Sequence, residues 1–310
     1  MHGPGEISIL LDLGGARWYG WEMAATREQI QETIDVFVRA AEANRATPAR
    51  RGNVIVLGPD NADDCLVTGD LHGHRRNFDA IMTLADLDSH PRRHLVMQEV
   101  CHGGPTHPGG GCQSHLMLAR VAELKVAYPE RFHFMLSNHE LSELTDYPII
   151  KGKKMLNLAF RLGLQETYGD ATDNVRTAYC EFLRSCPLAV RLPAGVFVSH
   201  SLPEHVDIRT FDATVFERAW EPKDLSEHGP VFDVVWGRDH RPDNARAFAE
   251  AVGAKVLIHG HEPCLHGYNV PNEVQLVLDC CTDRASCVLL PMEGDLSHAA
   301  VVDRVQSLGP

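Results

Sequence analysis

The stretch CLVTGDLHG (residues 65–73) runs from an apolar β-type segment, Cys65 to Thr68, straight into Gly69-Asp70-Leu71-His72-Gly73. Asp70 and His72 stand two apart, and the small residues beside them let a carboxylate oxygen and an imidazole nitrogen approach one cation. Alone, such a triplet reads equally as a polar turn. Working outward, however, the same arrangement recurs. Asn138-His139-Glu140 follows the apolar run Phe132 to Leu136, His200 follows Val196 to Ser199, and Gly260-His261 follows Lys255 to His259. An asparagine carbonyl is a neutral oxygen ligand, and an adjacent histidine can face a substrate and donate a proton. Asn138 also suits the cap of a helix with Glu140 in its first turn, which is compatible with ligation.

Further strands are expected at Val54 to Leu57, His94 to Met97, Val274 to Leu278 and Cys287 to Leu290. Helices are expected at Asn77 to Leu84, Gln113 to Ala127, Lys154 to Tyr168, Asn174 to Ser185 and Pro242 to Val252. Short apolar runs alternating with longer helical stretches imply an α/β fold. In such sheets ligands bind outside the carboxyl ends of the strands, where the polar clusters fall. Ahead of this region, Ile30, Ile34, Phe37, Val38 and Ala41 recur at helical spacing, with Thr26 as N-cap. Residues 1–52 therefore read as a helical extension ending in a Pro- and Arg-containing linker, Thr47 to Gly52, and residues 53–310 as the main domain. Trp18, Tyr19 and Trp21 are expected to pack the extension onto that domain.

With 44% hydrophobic and 23% charged residues, the 310-residue chain can bury a large core. No apolar run is long enough for a membrane span, and Met1 to Leu13 lacks the features of a secretory signal, so a soluble cytoplasmic protein is expected. A net charge of −13 argues against a nucleic-acid partner, which requires a basic surface. Nine cysteines without a CxxC pair suit reduced thiols rather than a zinc ribbon or thioredoxin motif.

The series GDLHG (69–73), SNHE (137–140), FVSHS (197–201) and HGHE (259–262) resembles the signature of calcineurin-like metallophosphoesterases. The closest form is that of PPP-type serine/threonine phosphatases and bacterial relatives such as diadenosine tetraphosphate hydrolases. The resemblance spans Val54 to Leu290, and Pro263 in place of a second histidine matches the PPP subgroup. It implies a sandwich of two stacked mixed β-sheets flanked by α-helices, with two divalent metal ions. Asp70 and His72 would serve the first ion, and Asn138, His200 and His261 the second. It further implies a metal-activated hydroxide attacking phosphorus in line, and His139 as general acid.

One family motif, GDxxDRG, is altered. The aligned residues 97–103 read MQEVCHG, so Gln98 stands at the bridging aspartate, Cys101 at the aspartate that supports the general acid, and His102 at the phosphate-gripping arginine. Gln98 offers an uncharged oxygen and would leave one metal weakly held. Glu99 is the alternative bridge, but adjacent strand residues face opposite sides, so it needs a bulge or an early strand end. His102 could donate to phosphate when protonated. Arg238 resembles a second phosphate-contacting arginine in bacterial members; the other reading is an ordinary surface arginine.

His107, Cys112 and His115 are weighed as an accessory metal site and expected not to form one. Arg75 and Arg76 are expected in a solvated first helical turn. The ligand chemistry suits Mn, Fe, Zn, Co or Ni. The expected activity is hydrolysis of a phosphomonoester, on a phosphoprotein or a small molecule. The alternative is an impaired relative that binds phosphate or a phosphorylated partner.

Overall fold

The structure, a computed structural model, describes residues 24–309, so Trp18, Tyr19, Trp21 and the start of the chain lie outside the described residues. The helices are α1 (Arg27–Ala46), α2 (Arg75–Ala85), α3 (Ser114–Ala127), α4 (Asn138–Thr145), α5 (Leu156–Tyr168), α6 (Thr172–Ser185), α7 (Pro230–Trp236), α8 (Pro242–Ala251) and α9 (His298–Val302). In chain order the strands begin with β1 (Arg50–Arg51), β2 (Val54–Val56), β3 (Asp64–Asp70), β4 (Arg93–Gln98), β5 (Phe132–Met135), β6 (Ile150–Lys151) and β7 (Lys154–Met155). They continue with β8 (Ala189–Leu192), β9 (Val196–Ser199), β10 (Val256–His259), β11 (Tyr268–Asn269), β12 (Gln275–Leu278), β13 (Ser286–Pro291) and β14 (Val305–Ser307).

Two mixed sheets result. One runs β1-β2-β8-β9-β10-β12-β11 and the other β14-β13-β3-β4-β5. Strand alternation sorts their side chains into two apolar layers. Cys65, Val67, Val96, Val198, Ile258 and Leu276 fill the space between the sheets. Their neighbours Leu66, Leu95, Met97, Phe197 and Leu257 face the helices outside. Because both faces are covered, the inner strands read as continuous apolar runs. β3, β4 and β5 are parallel, as are β9, β10 and β12, so six carboxyl ends gather at one edge. There the sheets are tied together by Cys280 N–H donating to Asp70 O at 2.9 Å.

Helix α1 starts where the capping residues predict, with Thr26 and Gln29 forming a reciprocal capping box. Its Phe37, Ala40 and Ala41 enter the same apolar cluster as Phe78, Phe134 and Phe182. The linker residues Arg50–Arg51 pair antiparallel with Val54–Ile55, so the chain on both sides of residue 52 shares one core. Lys154 does not open a helix as expected. Gly152 and Lys153 have φ of 56° and 67°, closing a tight β6–β7 hairpin before α5 begins. Helix α7 is absent from the sequence reading because PVFDVVW is apolar on every side; Pro230 at its first position and Gly237 at its end bound it.

Candidate metal centre

Each site residue sits just past a strand's carboxyl end. β3 ends at Asp70, and His72 follows in the left-handed region with φ of 44°. β4 ends at Gln98, and Glu99 is itself left-handed, also at φ 44°. That early strand end removes the alternation which would have aimed Glu99 away from the site. β5 runs into α4, whose first residues are Asn138 and His139, with Ser137 as N-cap. His200 and His261 follow β9 and β10. Gly260 is required between them: a Cβ there would lie 2.2 Å from Asp70 Oδ1 and 3.0 Å from Gln98 Oε1.

Glu99, almost wholly buried, lies at the centre. Its Oε1 is 3.0 Å from His72 Nε2, and its Oε2 is 3.0 Å from His200 Nε2. It therefore belongs to two ligand-type groups at once, one with His72 and His139, the other with His200 and His261. Asn138 Oδ1 completes the second group, 2.8 Å from His200 Nε2 and 3.0 Å from His261 Nδ1.

Gln98, expected at the bridge, has both of its amide atoms in hydrogen bonds to other groups. Its amide N–H donates to Thr68 O at 2.8 Å, so its oxygen is the acceptor for His200 Nδ1–H at 2.9 Å. The amide stands behind His200 and fixes its tautomer, turning the Nε2 lone pair toward Asn138, His261 and Glu99. His72 is held similarly, its Nδ1–H donating to Cys101 O at 3.0 Å. The imidazole lone pairs thus converge on carboxylate and amide oxygens that are themselves acceptors. Asp70 Oδ1, Glu99 Oε2 and His261 Nε2 are buried without a hydrogen-bond partner. Buried, unpartnered oxygen and nitrogen atoms turned toward one another fit cations, and oxygen with imidazole ligands fits first-row transition metals.

Without a cation the buried carboxylates and imidazoles shift one another's titration. Burial pushes the Asp70 carboxyl well above the usual carboxylate range, and Glu99 beside it pushes the same way. Burial acts likewise on Glu99 but is outweighed by the His139, His200 and His72 rings, which hold it well below that range. For His72, burial opposes the charged ring, yet Glu99, Asp70 and the Cys101 carbonyl raise it to about 9. Burial drives His139 well below the ordinary histidine range despite Glu99, and the His72, His102 and His200 rings add to that.

His102 does not face a substrate. Its φ of 64° turns the ring inward, with a side-chain exposure of 0%, between His139 Nδ1 at 2.9 Å and Glu143 Oε1 at 2.8 Å. Cys101 does not reach His139; its backbone N–H, with that of Val100, donates to Glu140 Oε1. Arg238 is 47% exposed at the rim, paired with Glu262 at 2.6 Å and next to the His261 carbonyl. Glu143 is the residue that the sequence reading missed; as one acidic residue in an amphipathic helix it carries no local signal. His107 and His115 both contact Thr167 Oγ1, while Cys112 Sγ turns to Gly103 O, so these three form no ligand set. Arg76 pairs with Asp283, and Arg75 donates to Gln113.

Comparison with known proteins agrees with this geometry. Residues 65–265 match the calcineurin-like phosphoesterase family. The chain is 23% identical over 270 residues to a probable serine/threonine-protein phosphatase of Encephalitozoon cuniculi, covering 77% of this chain and 54% of that protein. It thus spans about half the length of that relative. Among solved structures, a Saccharomyces cerevisiae protein serine/threonine phosphatase with similarity to human phosphatase PP5 superposes with a TM-score of 0.66 at 15% identity, over 91% of this chain and 90% of that one. A cold-active protein-tyrosine phosphatase of a psychrophilic Shewanella superposes with a TM-score of 0.51 at 12% identity, over 86% and 84%. These two share the fold, and the family match over the segment that carries Asp70 through His261 decides the rest: the chain belongs to the calcineurin-like phosphoesterase family.

Proposed function

We propose that the chain is a metal-dependent phosphomonoesterase in which Glu99, in place of Gln98, is the carboxylate shared by two metal subsites. The observation that carries this is that the two Glu99 oxygens each lie 3.0 Å from an imidazole nitrogen of a different ligand group. Asp70, His72 and Glu99 would hold one ion, and Asn138, His200, His261 and Glu99 the other. When bound, such ions polarise a phosphoryl oxygen and lower the pKa of a water in the site.

The chain's own residues do the remainder. Gln98 keeps the His200 ring oriented. His139 engages His102 through Nδ1, which leaves the Nε2 lone pair to take a proton from the attacking water and pass it to the departing oxygen. Arg238 is the rim cation that can turn to phosphate, exchanging Glu262 for a bidentate phosphate contact. The substrate is a phosphorylated protein or small molecule whose leaving oxygen points toward His139.

Elemental analysis of the purified chain, with hydrolysis of an aryl phosphate across added Mn, Fe, Zn and Ni, tests this. The expected result is two ions per chain and metal-dependent turnover, both lost in Glu99→Gln while Gln98→Leu keeps measurable activity. Metal-free protein with no turnover under any addition rejects it. One observation favours a second reading, a phosphate-binding relative without turnover: His102, at the family's arginine position, is buried away from substrate. Saturable phosphate binding without hydrolysis under every metal would identify that case.

A further inference from the structure

We infer that His102 and Glu143 form a relay that positions His139 to carry a proton from the attacking water to the leaving oxygen, taking over the work of the aspartate that Cys101 replaces. The inference deepens the proposed hydrolase reading and rests on it. Three side chains lie in line: His139 Nδ1 is 2.9 Å from His102 Nδ1, and His102 Nε2 is 2.8 Å from Glu143 Oε1. They come from two elements in register. His102 lies in the loop after β4, held by its own N–H donating to Ser114 Oγ at 2.9 Å. His139 and Glu143 are four residues apart on α4, hence one above the other on a single helix face.

The direction of every proton in the line follows from the outer partners. Tyr179 O–H donates to Glu143 Oε2 at 3.0 Å, and Asn157 Nδ2–H donates to Glu143 Oε1 at 3.2 Å. The Asn157 amide cannot be reversed, because its oxygen accepts Ile149 N–H at 2.9 Å. Glu143 is therefore an acceptor on both oxygens, and His102 must carry its proton on Nε2. Its Nδ1 is then the acceptor, so His139 must donate through Nδ1–H. That leaves His139 Nε2 as the atom directed to the site, 4.0 Å from Glu99 Oε1. Phe160, edge-on to the His102 ring with centroids 5.4 Å apart, closes the line from water. A buried acceptor that fixes the tautomer of an acid–base histidine is a general device in catalysis.

His102 and Glu143 touch neither the ligand atoms nor the rim, so they act through His139 alone. Two measurements test this on the full chain. First, imidazole nitrogen chemical shifts near neutral pH, taken without added metal, are expected to report His102 protonated at Nε2 and His139 at Nδ1, with both assignments lost in Glu143→Leu, which removes the acceptor. The opposite tautomers in the wild type, or shifts unmoved in Glu143→Leu, overturn the relay whether or not the chain hydrolyses anything.

Second, with metal restored, Glu143→Leu is expected to lose roughly 100-fold in kcat on phenyl phosphate, whose leaving oxygen needs a proton. It is expected to change little on dinitrophenyl phosphate, whose leaving group needs none, with KM and metal content retained. Tyr179→Phe, a milder change that keeps the carboxylate, is expected to show a smaller loss with the same leaving-group dependence. Equal losses on both substrates overturn the relay and leave the hydrolase standing. Absence of wild-type turnover on either substrate removes the hydrolase reading, and with it the acid that the relay serves.

Discussion

Four non-glycine residues of the site have left-handed backbones: His72 at φ 44°, Glu99 at 44°, His102 at 64° and His261 at 69°. Each such position costs about 1–3 kcal/mol, and each aims a side chain that a regular strand would have pointed elsewhere. Glu99 gains most, since its conformation places one carboxylate between two groups of imidazoles. Gly260→Ala is expected to abolish metal binding, because the added Cβ would lie 2.2 Å from Asp70 Oδ1 with little room to move; metal content by elemental analysis checks this. Gln98→Leu is expected to weaken metal affinity by roughly 10–100-fold, the usual effect of removing a partner that orients a ligand. A metal titration that finds no change would show that the Gln98–His200 hydrogen bond does not orient the ligand.

At the scale of elements, helix α1 holds the helical layer together although it precedes the matched family segment. Phe37 is buried against Tyr179 and Phe182 of α6, with ring centroids 6.2 and 5.9 Å away. Phe37→Ala is expected to cost about 3–5 kcal/mol, read as a lower denaturant midpoint, while the folded fraction keeps its metal affinity. Lys125 of α3 is a second tie, its buried ammonium donating to Thr47 Oγ1, Pro129 O and Phe132 O. Burial, opposed weakly by Cys186, lowers this lysine to about 7. Between that value and its ordinary value near 10.4 the unfolded chain binds more protons than the folded one, so this residue makes stability rise with pH across that window. Lys125→Met is expected to flatten that rise in denaturation midpoints measured from neutral to alkaline pH.

For the whole molecule, acid is the weakness. His94 is lowered to about 4 and His115 to about 3, in both cases chiefly by burial. Histidines held neutral in the fold stabilise it above the unfolded value near 6.5, and that contribution is lost as pH falls through the folded values. Each is worth on the order of 3–5 kcal/mol once fully lost. The melting temperature of the metal-free chain is therefore expected to fall steadily from pH about 6.5 to 4. Added Mn or Zn is expected to raise it near neutral pH, since an ion binding only the folded chain stabilises it by mass action. A melting temperature indifferent to every metal would contradict the ligand set. No helix among the described residues is long and apolar enough to cross a membrane.

What the sequence by itself determined is the architecture and the location of the chemistry. Apolar runs such as Cys65 to Thr68 and Val196 to Ser199 are local signals, and so are the polar clusters that end them. Strand periodicity and turn chemistry need only neighbouring residues, so the polar clusters at Asp70, His72, Asn138, His200 and His261 could be placed at strand ends before any contact was known, while their proposed role as ligands came from the family resemblance. Only the tertiary structure shows Glu99 between the two groups of imidazoles and Gln98 behind His200, because that placement rests on one backbone angle at the end of β4. It likewise turned His102 from a phosphate contact into the partner of His139, through Glu143, a residue 41 positions away that nothing in the local sequence marks. Residue type and spacing fix which groups can meet at a sheet edge, whereas the direction of each proton among them depends on partners that only folding brings within 3 Å.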